Sequence, residues 1–270
     1  MTLTAESFDY VATLVRRRSA IQLAPGKEYL VESRLAPLAR SLGAADVDAY
    51  IRTLRSDPTL HGQVIEALTT NETSWFRDLT PFTALRSTVL PAAVAAGRTQ
   101  LRVWSAACSS GQEAYSIAMT VVDEFPRLRA AITATDLSER MLTQGRAGRY
   151  SQLEVNRGLP ATLLVKHFER QGATFEISPA LRQLVTFRSH NLLDAPPAGG
   201  PFDVVFLRNV LIYFDVATKR EVLRRVRSVL APGGTLFLGA AETTLGIDDS
   251  WTRVESVGAS VYRTNEKKAA

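Results

Sequence analysis

The hydrophobic residues in the first quarter of the chain recur at helical spacing. Between residues 4 and 70, four groups of apolar side chains follow the helical period, and no alternating strand pattern interrupts them. Gly43 after the second group ends a helix, and Asp46 before the third is a typical cap residue. Pro37 inside the second group allows a kink or an early stop. The pattern predicts a small all-α domain.

From residue 101 onward the pattern changes to short apolar runs separated by amphipathic segments. Strands are predicted at residues 101–105, 131–135, 184–188, 202–207 and 235–239, with a last edge strand at 260–263. Helices are predicted at residues 81–97, 111–124, 138–144 and 218–230. This alternation predicts an α/β fold whose parallel sheet is covered on both faces and binds ligands at the carboxyl ends of its strands.

The two patterns divide the chain into three parts. Residues 1–70 form the helical domain, residues 71–98 form a linker and one helix, and residues 99–270 form the α/β domain. Within the last part, residues 150–183 contain only short helical and strand-like pieces. They predict a small inserted subdomain.

Residues 101–119 read as a strand, a loop of small residues and a helix. Small side chains let a ligand approach the loop backbone, and the helix N-terminus offers unpaired N–H groups and a positive dipole end. The loop has one glycine and lacks the G-x-x-x-x-G-K-[ST] spacing of a phosphate loop. Glu113 at the helix start would repel a pyrophosphate but hold a cationic amino group. The stretch is therefore a candidate cofactor cradle.

Polar residues stand at the ends of the other predicted strands. Asp136 ends the second strand and is placed to accept hydrogen bonds from two ribose hydroxyls. Asn191 follows the third strand, and Arg208 and Asn209 follow the fourth, with Tyr213 close behind. Because the carboxyl ends of parallel strands share one edge of the sheet, we expect these residues to converge on one crevice.

A polar segment at residues 69–78 precedes the α/β part. Its simplest interpretation is a linker with a helix cap, because Asn, Thr and Ser favour helix starts. It also offers Asn71, Thr73 and Arg77, which are directional hydrogen-bonding groups. On the late helix, Arg224, Arg225 and Arg227 are best interpreted as solvated surface charge.

Composition narrows the class of protein. The 270 residues are 46% apolar and 22% charged, which is typical of a globular protein. No apolar run reaches membrane-spanning length, no secretory signal opens the chain, and Cys108 has no partner, so we expect a cytoplasmic protein without membrane insertion. The net charge of +5 is too small and scattered to indicate nucleic-acid binding. The three histidines show no ligand spacing, so no metal site is expected.

Several strings of the sequence resemble the chemotaxis receptor methyltransferases, the CheR family. Two are specific to it: N-E-T-S-W-F-R at residues 71–77 and R-N-V-L-I-Y-F at residues 208–214. Further matches lie, in the family's order, at residues 103–116, 134–137, 191–193, 202–207 and 232–234. The resemblance implies a Rossmann-like methyltransferase domain that uses S-adenosylmethionine and releases S-adenosylhomocysteine. It also implies that residues 71–98 contribute to the cofactor site.

The resemblance also implies roles for individual residues. Arg77 and Tyr213 would flank the departing methyl group as catalytic residues, and Arg34 and Arg40 would contact the receptor from a basic helix. The implied cofactor-binding residues are Asn71, Thr73, Arg77, Ala106, Glu113, Asp136, Asn191, Leu192, Arg208 and Asn209.

The implied reaction is methyl esterification of glutamate side chains in the helical methylation region of chemoreceptors. A glutamate carboxylate has a pKa of about 4.3 and is ionised at neutral pH, so it needs no general base.

The region 167–177 is short and contains only one glycine, Gly172, which does not favour docking on a receptor's tail peptide. We expect a monomer. Residues 239–243 depart from the histidine-containing turn of many relatives.

Two other functions remain open on the sequence. The chain could be a cofactor-binding sensor or scaffold without turnover, although Arg77 and Tyr213 together favour an active enzyme. It could also methylate another acidic or small substrate, because a fold does not fix its substrate. The helical N-terminal domain favours a macromolecular partner.

Overall fold

The computed structural model describes residues 3–256 and 258–265, which form two compact units. The first contains the residues up to Thr70 together with Tyr213–Thr218. The second contains Asn71–Ile212 and the chain from Lys219 onward. None of the helices in the described ranges is long and apolar enough to span a bilayer.

The first unit is a bundle of four helices around its own core. The helices are α1 (Ala5–Ser19), α2 (Glu28–Ser41), α3 (Val47–Ser56) and α4 (His61–Leu68). As predicted, Asp46 caps α3, and its carboxylate accepts a hydrogen bond from the Ala49 N–H at 2.7 Å. Pro37 lies within α2 without ending it. The core consists of fully buried residues at helical spacing, among them Val11, Val15, Val31, Leu35, Ile51, Leu54 and Val64.

The described residues of the second unit contain ten strands in two sheets. In chain order they are β1 (Gln100–Ala106), β2 (Arg129–Asp136), β3 (Arg149–Ser151), β4 (Phe168–Gln171), β5 (Thr174–Ile177), β6 (Val185–Ser189), β7 (Phe202–Leu207), β8 (Leu230–Leu238), β9 (Trp251–Val254) and β10 (Ser260–Thr264). The large sheet has the order β6-β2-β1-β7-β8-β10-β9, and its first five strands are parallel. The small sheet, β3-β5-β4, is antiparallel and lies within residues 149–177.

Eight helices follow α4 in the described chain. They are α5 (Thr80–Ala84), α6 (Leu90–Ala95), α7 (Gln112–Glu124), α8 (Glu139–Ala147), α9 (Gln152–Val155), α10 (Ala161–His167), α11 (Pro179–Arg182) and α12 (Val216–Val229). Helix α7 is almost entirely buried against the sheet, which is why its sequence is apolar on more than one face. In the sheet, the rings of Phe206 and Phe237 stack on neighbouring strands β7 and β8, with their centroids 4.4 Å apart.

Two details of the predicted elements are wrong. Strand β10 is not the edge of the sheet, because β9 pairs along its other side. The prediction missed β9 because this four-residue strand has exposed Thr252 and Arg253 at its centre and shows no clean alternation. The single helix predicted at 81–97 is split by a π-helical turn at Leu85–Val89, just before Pro91. Proline has no N–H to continue the α-helical ladder, so the wider turn accommodates it.

Candidate functional site

The loop after β1 wraps around the carboxylate of Asp136 at the end of β2. The Ser109 N–H donates to Asp136 Oδ2 at 2.7 Å, and the Ser138 N–H donates to Oδ1 at 2.9 Å. The Cys108 N–H donates to the Thr135 carbonyl at 2.9 Å, which ties the loop to β2. A carboxylate oxygen has capacity for more than one hydrogen bond, so Asp136 is held in place while still suited to ribose hydroxyls.

Glu113 lies in the first turn of α7, as the sequence predicts, and joins a buried ionic network. One carboxylate oxygen accepts from the Ser105 hydroxyl at 2.7 Å, and the other accepts from Arg208 Nη1 at 2.9 Å. The side chain of Arg208 is 1% exposed. A carboxylate at the positive end of a helix is electrostatically favoured. The structure therefore brings two predicted site residues, Glu113 and Arg208, into direct contact.

Arg208 also holds the segment that carries Arg77. Its Nη2 donates to Asp78 Oδ2 and to the carbonyl of Arg77, both at 2.7 Å. Its Nε is buried and has no hydrogen-bond partner in the structure. One guanidinium thus connects Glu113, at the start of α7, with the backbone of residues 77 and 78. The Arg77 side chain is partly exposed and donates to the Glu72 carbonyl at 3.0 Å.

Residues 71–78 are fixed to the α/β unit along their length. The Ser109 hydroxyl donates to the Asn71 carbonyl at 2.8 Å, and the Phe76 N–H donates to the Ser116 hydroxyl at 3.1 Å. The Trp75 N–H donates to the Arg157 carbonyl at 3.0 Å. The Trp75 ring packs edge-on against Tyr150 and Phe168, with centroids 4.9 and 5.3 Å away. These contacts fix the segment to the α/β unit. The interpretation as a simple linker is therefore wrong.

Backbone strain is concentrated in the same loops. Left-handed backbone at a residue other than glycine costs about 1–3 kcal/mol and accumulates at functional sites. Most of the non-glycine residues with positive φ in the described chain lie here: Phe76, Asp78, Leu79, Ala107, Ser109 and Asn209, with φ between 46° and 68°. Gly111, at φ 92°, completes the turn into α7. The packing and hydrogen bonds above hold these loops in conformations that they would not adopt alone.

The loop after β6 contains the predicted residues Asn191 and Leu192. The Leu193 N–H donates to Asn191 Oδ1 at 3.0 Å. Arg225 of α12 donates to the carbonyls of Asp194 at 2.8 Å and Leu192 at 3.4 Å. The interpretation of Arg225 as solvated surface charge is wrong, because its guanidinium holds this loop. Sequence reasoning missed it because helical spacing alone does not distinguish such an arginine from its exposed neighbours.

Glu242 is a second residue that sequence reasoning missed. Its carboxylate is buried beyond the end of β8 and accepts backbone N–H groups of the turn after β7, which contains Asn209. Ala106, the last residue of β1, is also buried and pairs with Leu207 of β7. The available signal for Glu242 was its position: like Asp136 and Asn191, it lies at or shortly after the carboxyl end of a parallel strand.

Three predicted residues, Arg34, Arg40 and Tyr213, are part of the helical unit. Arg34 donates from Nη1 to the carbonyls of Leu68 at 2.8 Å and Thr69 at 3.0 Å, so it caps the end of α4. Arg40 is exposed at the last turn of α2. Tyr213 is partly exposed, and its carbonyl accepts from the Gln22 N–H at 3.1 Å. A receptor contact through Arg34 stays a prediction, and its guanidinium also has this structural task.

The geometry fits a nucleoside linked to a cationic amino-acid group. Two carboxylates, from Glu113 in the first turn of α7 and Asp136 at the end of β2, would repel a phosphate and suit an ammonium and ribose hydroxyls. The loop after β1 consists of small residues and is largely buried, with only Ala107 partly exposed. Within the described ranges, no cluster of three or more His, Cys, Asp or Glu side chains is arranged to hold a metal ion.

Comparisons with known proteins identify the family. The sequence model of the CheR methyltransferase SAM binding domain matches residues 71–259, and that of the CheR all-alpha domain matches residues 6–69. Chemotaxis protein methyltransferase Cher2 of Pseudomonas putida is 42% identical over 267 residues, covering 95% of this chain and 97% of that protein. Chemotaxis protein methyltransferase 1 of Pseudomonas aeruginosa is 41% identical over 273 residues, covering 97% and 99%. The cofactor is S-adenosylmethionine, and the chain belongs to the CheR methyltransferase family.

Proposed function

We propose that this protein esterifies glutamate side chains on the cytoplasmic helices of chemoreceptors, with S-adenosylmethionine as the methyl donor. The observation that carries the proposal is the Arg208 network. It connects Glu113, the acid suited to the donor's amino group, with the backbone of Arg77, the cation suited to an acceptor carboxylate. Family membership and the names of the relatives support methylation in chemotaxis as the wider role.

The chemistry asks little of the protein beyond alignment. The bound cofactor supplies a methyl group that is electrophilic because it is attached to a sulfonium. A glutamate carboxylate, with a pKa of about 4.3, is already ionised and needs no base. The protein's residues must orient this carboxylate and exclude water from it. Alignment of reacting groups is worth about 7–11 kcal/mol when the bound geometry approaches that of attack.

Arg77 is the residue we propose for orienting the acceptor. Its guanidinium would hold one carboxylate oxygen and direct the other toward the methyl group. The fixed backbone at residues 77 and 78 supports this role, because Arg208 bonds both the Arg77 carbonyl and Asp78. Tyr213 is the second residue that we propose as catalytic, on the ground of the family resemblance alone.

The remaining predicted residues would hold the cofactor. In this proposal Asp136 binds the ribose, Glu113 binds the amino group, and Asn191 and Leu192 contact the adenine. The other proposed cofactor contacts are Asn71, Thr73, Ala106, Arg208 and Asn209. Two hydrogen bonds from backbone N–H groups to Asp136, and the bonds from Ser105 and Arg208 to Glu113, support the first two roles because they preorganise both carboxylates.

We further propose that the helical unit presents the enzyme to the receptor. Arg40 is exposed on α2 and is the stronger of the two predicted receptor contacts, because the guanidinium of Arg34 is occupied at the end of α4. The turn between β4 and β5 is short, spanning only the residues between Gln171 and Thr174. Its length supports recognition of the methylation helices rather than of a tail peptide.

The test is methyl transfer from labelled cofactor to purified receptor cytoplasmic domains. We expect label on the receptor that mild base releases as methanol, because esters hydrolyse under these conditions. Label that resists base would contradict carboxyl methylation, and cofactor binding without transfer would identify a sensor or scaffold. A receptor whose candidate glutamates are replaced by alanine is the matched control.

A further inference from the structure

The turns after β7 and β8 meet at the carboxylate of Glu242. Its Oε1 accepts from the N–H groups of Val210 at 2.9 Å and Leu211 at 2.7 Å. Its Oε2 accepts from the N–H groups of Asn209 at 2.8 Å and Gly239 at 2.7 Å. The residue is only 6% exposed. Four backbone donors therefore converge on one buried anion.

This arrangement fixes the conformation of Asn209. The backbone of Asn209, the second residue after β7, is left-handed, with φ 58°. Asparagine tolerates this conformation better than most residues other than glycine, and surrounding bonds select it over the ordinary right-handed backbone. Glu242 supplies them at Asn209 itself and at the two residues that follow. Four donors also compensate the burial of the carboxylate, which would otherwise be costly.

Gly239 allows Glu242 and Asn209 to approach the backbone after β8 closely. A side-chain carbon at this position would lie 2.7 Å from Glu242 Oε2, 2.8 Å from Asn209 Nδ2 and 3.0 Å from the Asn209 backbone nitrogen. The first two separations are shorter than contacts between such atoms, and the third is tight, so glycine favours this close approach. They also show that the side-chain amide of Asn209 lies against the turn that Glu242 organises.

We propose that Glu242 is a positioning residue for the cofactor site and acts through Asn209. By holding the 209–211 backbone before the cofactor arrives, it removes the cost of ordering that turn on binding. The proposal rests on the cofactor contact proposed above for Asn209. It does not depend on which substrate receives the methyl group.

Glu242→Gln is the sharpest substitution, because it keeps the size of the side chain. Each carboxylate oxygen accepts two backbone N–H groups, so either orientation of the new amide turns its NH₂ toward two donors. Calorimetry of the full chain with S-adenosylhomocysteine should show affinity weakened by at least about tenfold. Hydrogen exchange should accelerate at the amides of residues 209–211. The matched control is Glu169→Gln, an exposed glutamate on β4, which should change neither quantity.

A double-mutant cycle with Asn209→Ala separates positioning from general stability. If Glu242 acts through Asn209, Glu242→Gln should weaken cofactor affinity much less in the Asn209→Ala background than in the wild type. A purely structural role would give the same fold-loss in both backgrounds and would overturn the proposal. Unchanged affinity in folded Glu242→Gln would also overturn it.

Gly239→Ala keeps the test decisive if Glu242→Gln does not fold. The added methyl group would displace the Glu242 carboxylate and the Asn209 amide while leaving both side chains present. It should weaken affinity for S-adenosylhomocysteine, and folded Gly239→Ala with wild-type affinity would contradict the proposal. These experiments measure cofactor binding alone. Their outcome is therefore independent of whether the protein esterifies glutamate.

Discussion

The buried guanidinium of Arg208 leads to a quantitative prediction for Arg208→Lys. Arginine bonds Glu113 through one terminal nitrogen and Asp78 and the Arg77 carbonyl through the other. Lysine keeps the charge but has a single nitrogen on a flexible stem, so it cannot reproduce this fork. At least one hydrogen bond to a charged group is lost, at a cost of about 1.5–3 kcal/mol in the free energy of unfolding. For a unit of this size that corresponds to about 3–12 °C in Tm.

Thermal unfolding of the two proteins measures this cost, with Arg224→Lys as the matched control. Arg224 pairs with Glu221 at 2.7 Å on the surface of α12 and is 57% exposed, so its replacement should leave Tm nearly unchanged. Turnover of Arg208→Lys should also fall, because the backbone carrying Arg77 loses its anchor. Equal stability of Arg208→Lys and Arg224→Lys would refute the reasoning.

Three further predictions follow from the same structure. Arg77→Ala should lower turnover far more than cofactor affinity, and an equal loss of both, measured by kinetics and calorimetry, would make Arg77 a cofactor ligand. Arg225→Ala frees the loop after β6 and should weaken S-adenosylhomocysteine affinity about tenfold, with turnover at saturating cofactor unchanged. Burial raises the pKa of Asp123, but hydrogen bonds from Lys166 and His167 outweigh it, so the pKa lies below its ordinary value of 3.8. At pH values above 3.8, the ionised Asp123 carboxylate therefore stabilises the fold, and this stabilisation is lost as the pH falls through the lowered pKa. Urea titrations should show that Asp123→Asn lowers the free energy of unfolding at pH 7 and much less at pH 2.

The sequence predicted the order of strands and helices and most of the polar residues at the strand ends. We could predict Asp136, Asn191 and Asn209 from the sequence, because each follows an apolar run and parallel strands end at one edge of the sheet. We could also predict Glu113, because it lies in the first turn of a helix after a loop of small residues. These features depend on local pattern and on one rule of topology.

The connections among these residues were not predictable from local pattern. Glu242 binds backbone N–H groups more than thirty positions earlier, which leaves no periodic signal in the sequence. Arg225 has the spacing of a surface arginine, and only the position of the 192–194 loop against α12 gives it partners. Strand β9 was missed because its central residues are polar and its pairing with β10 is its main determinant.

The central claim is that the acceptor atom is a glutamate carboxylate oxygen. The most direct measurement is tandem mass spectrometry of receptor cytoplasmic domains after incubation with the enzyme and S-adenosylmethionine. The proposal predicts methyl groups on glutamate side chains of the receptor helices, which disappear after mild base and are far fewer with Arg77→Ala. Methyl groups on other side chains, or an unmodified receptor under conditions where the enzyme binds its cofactor, would contradict it.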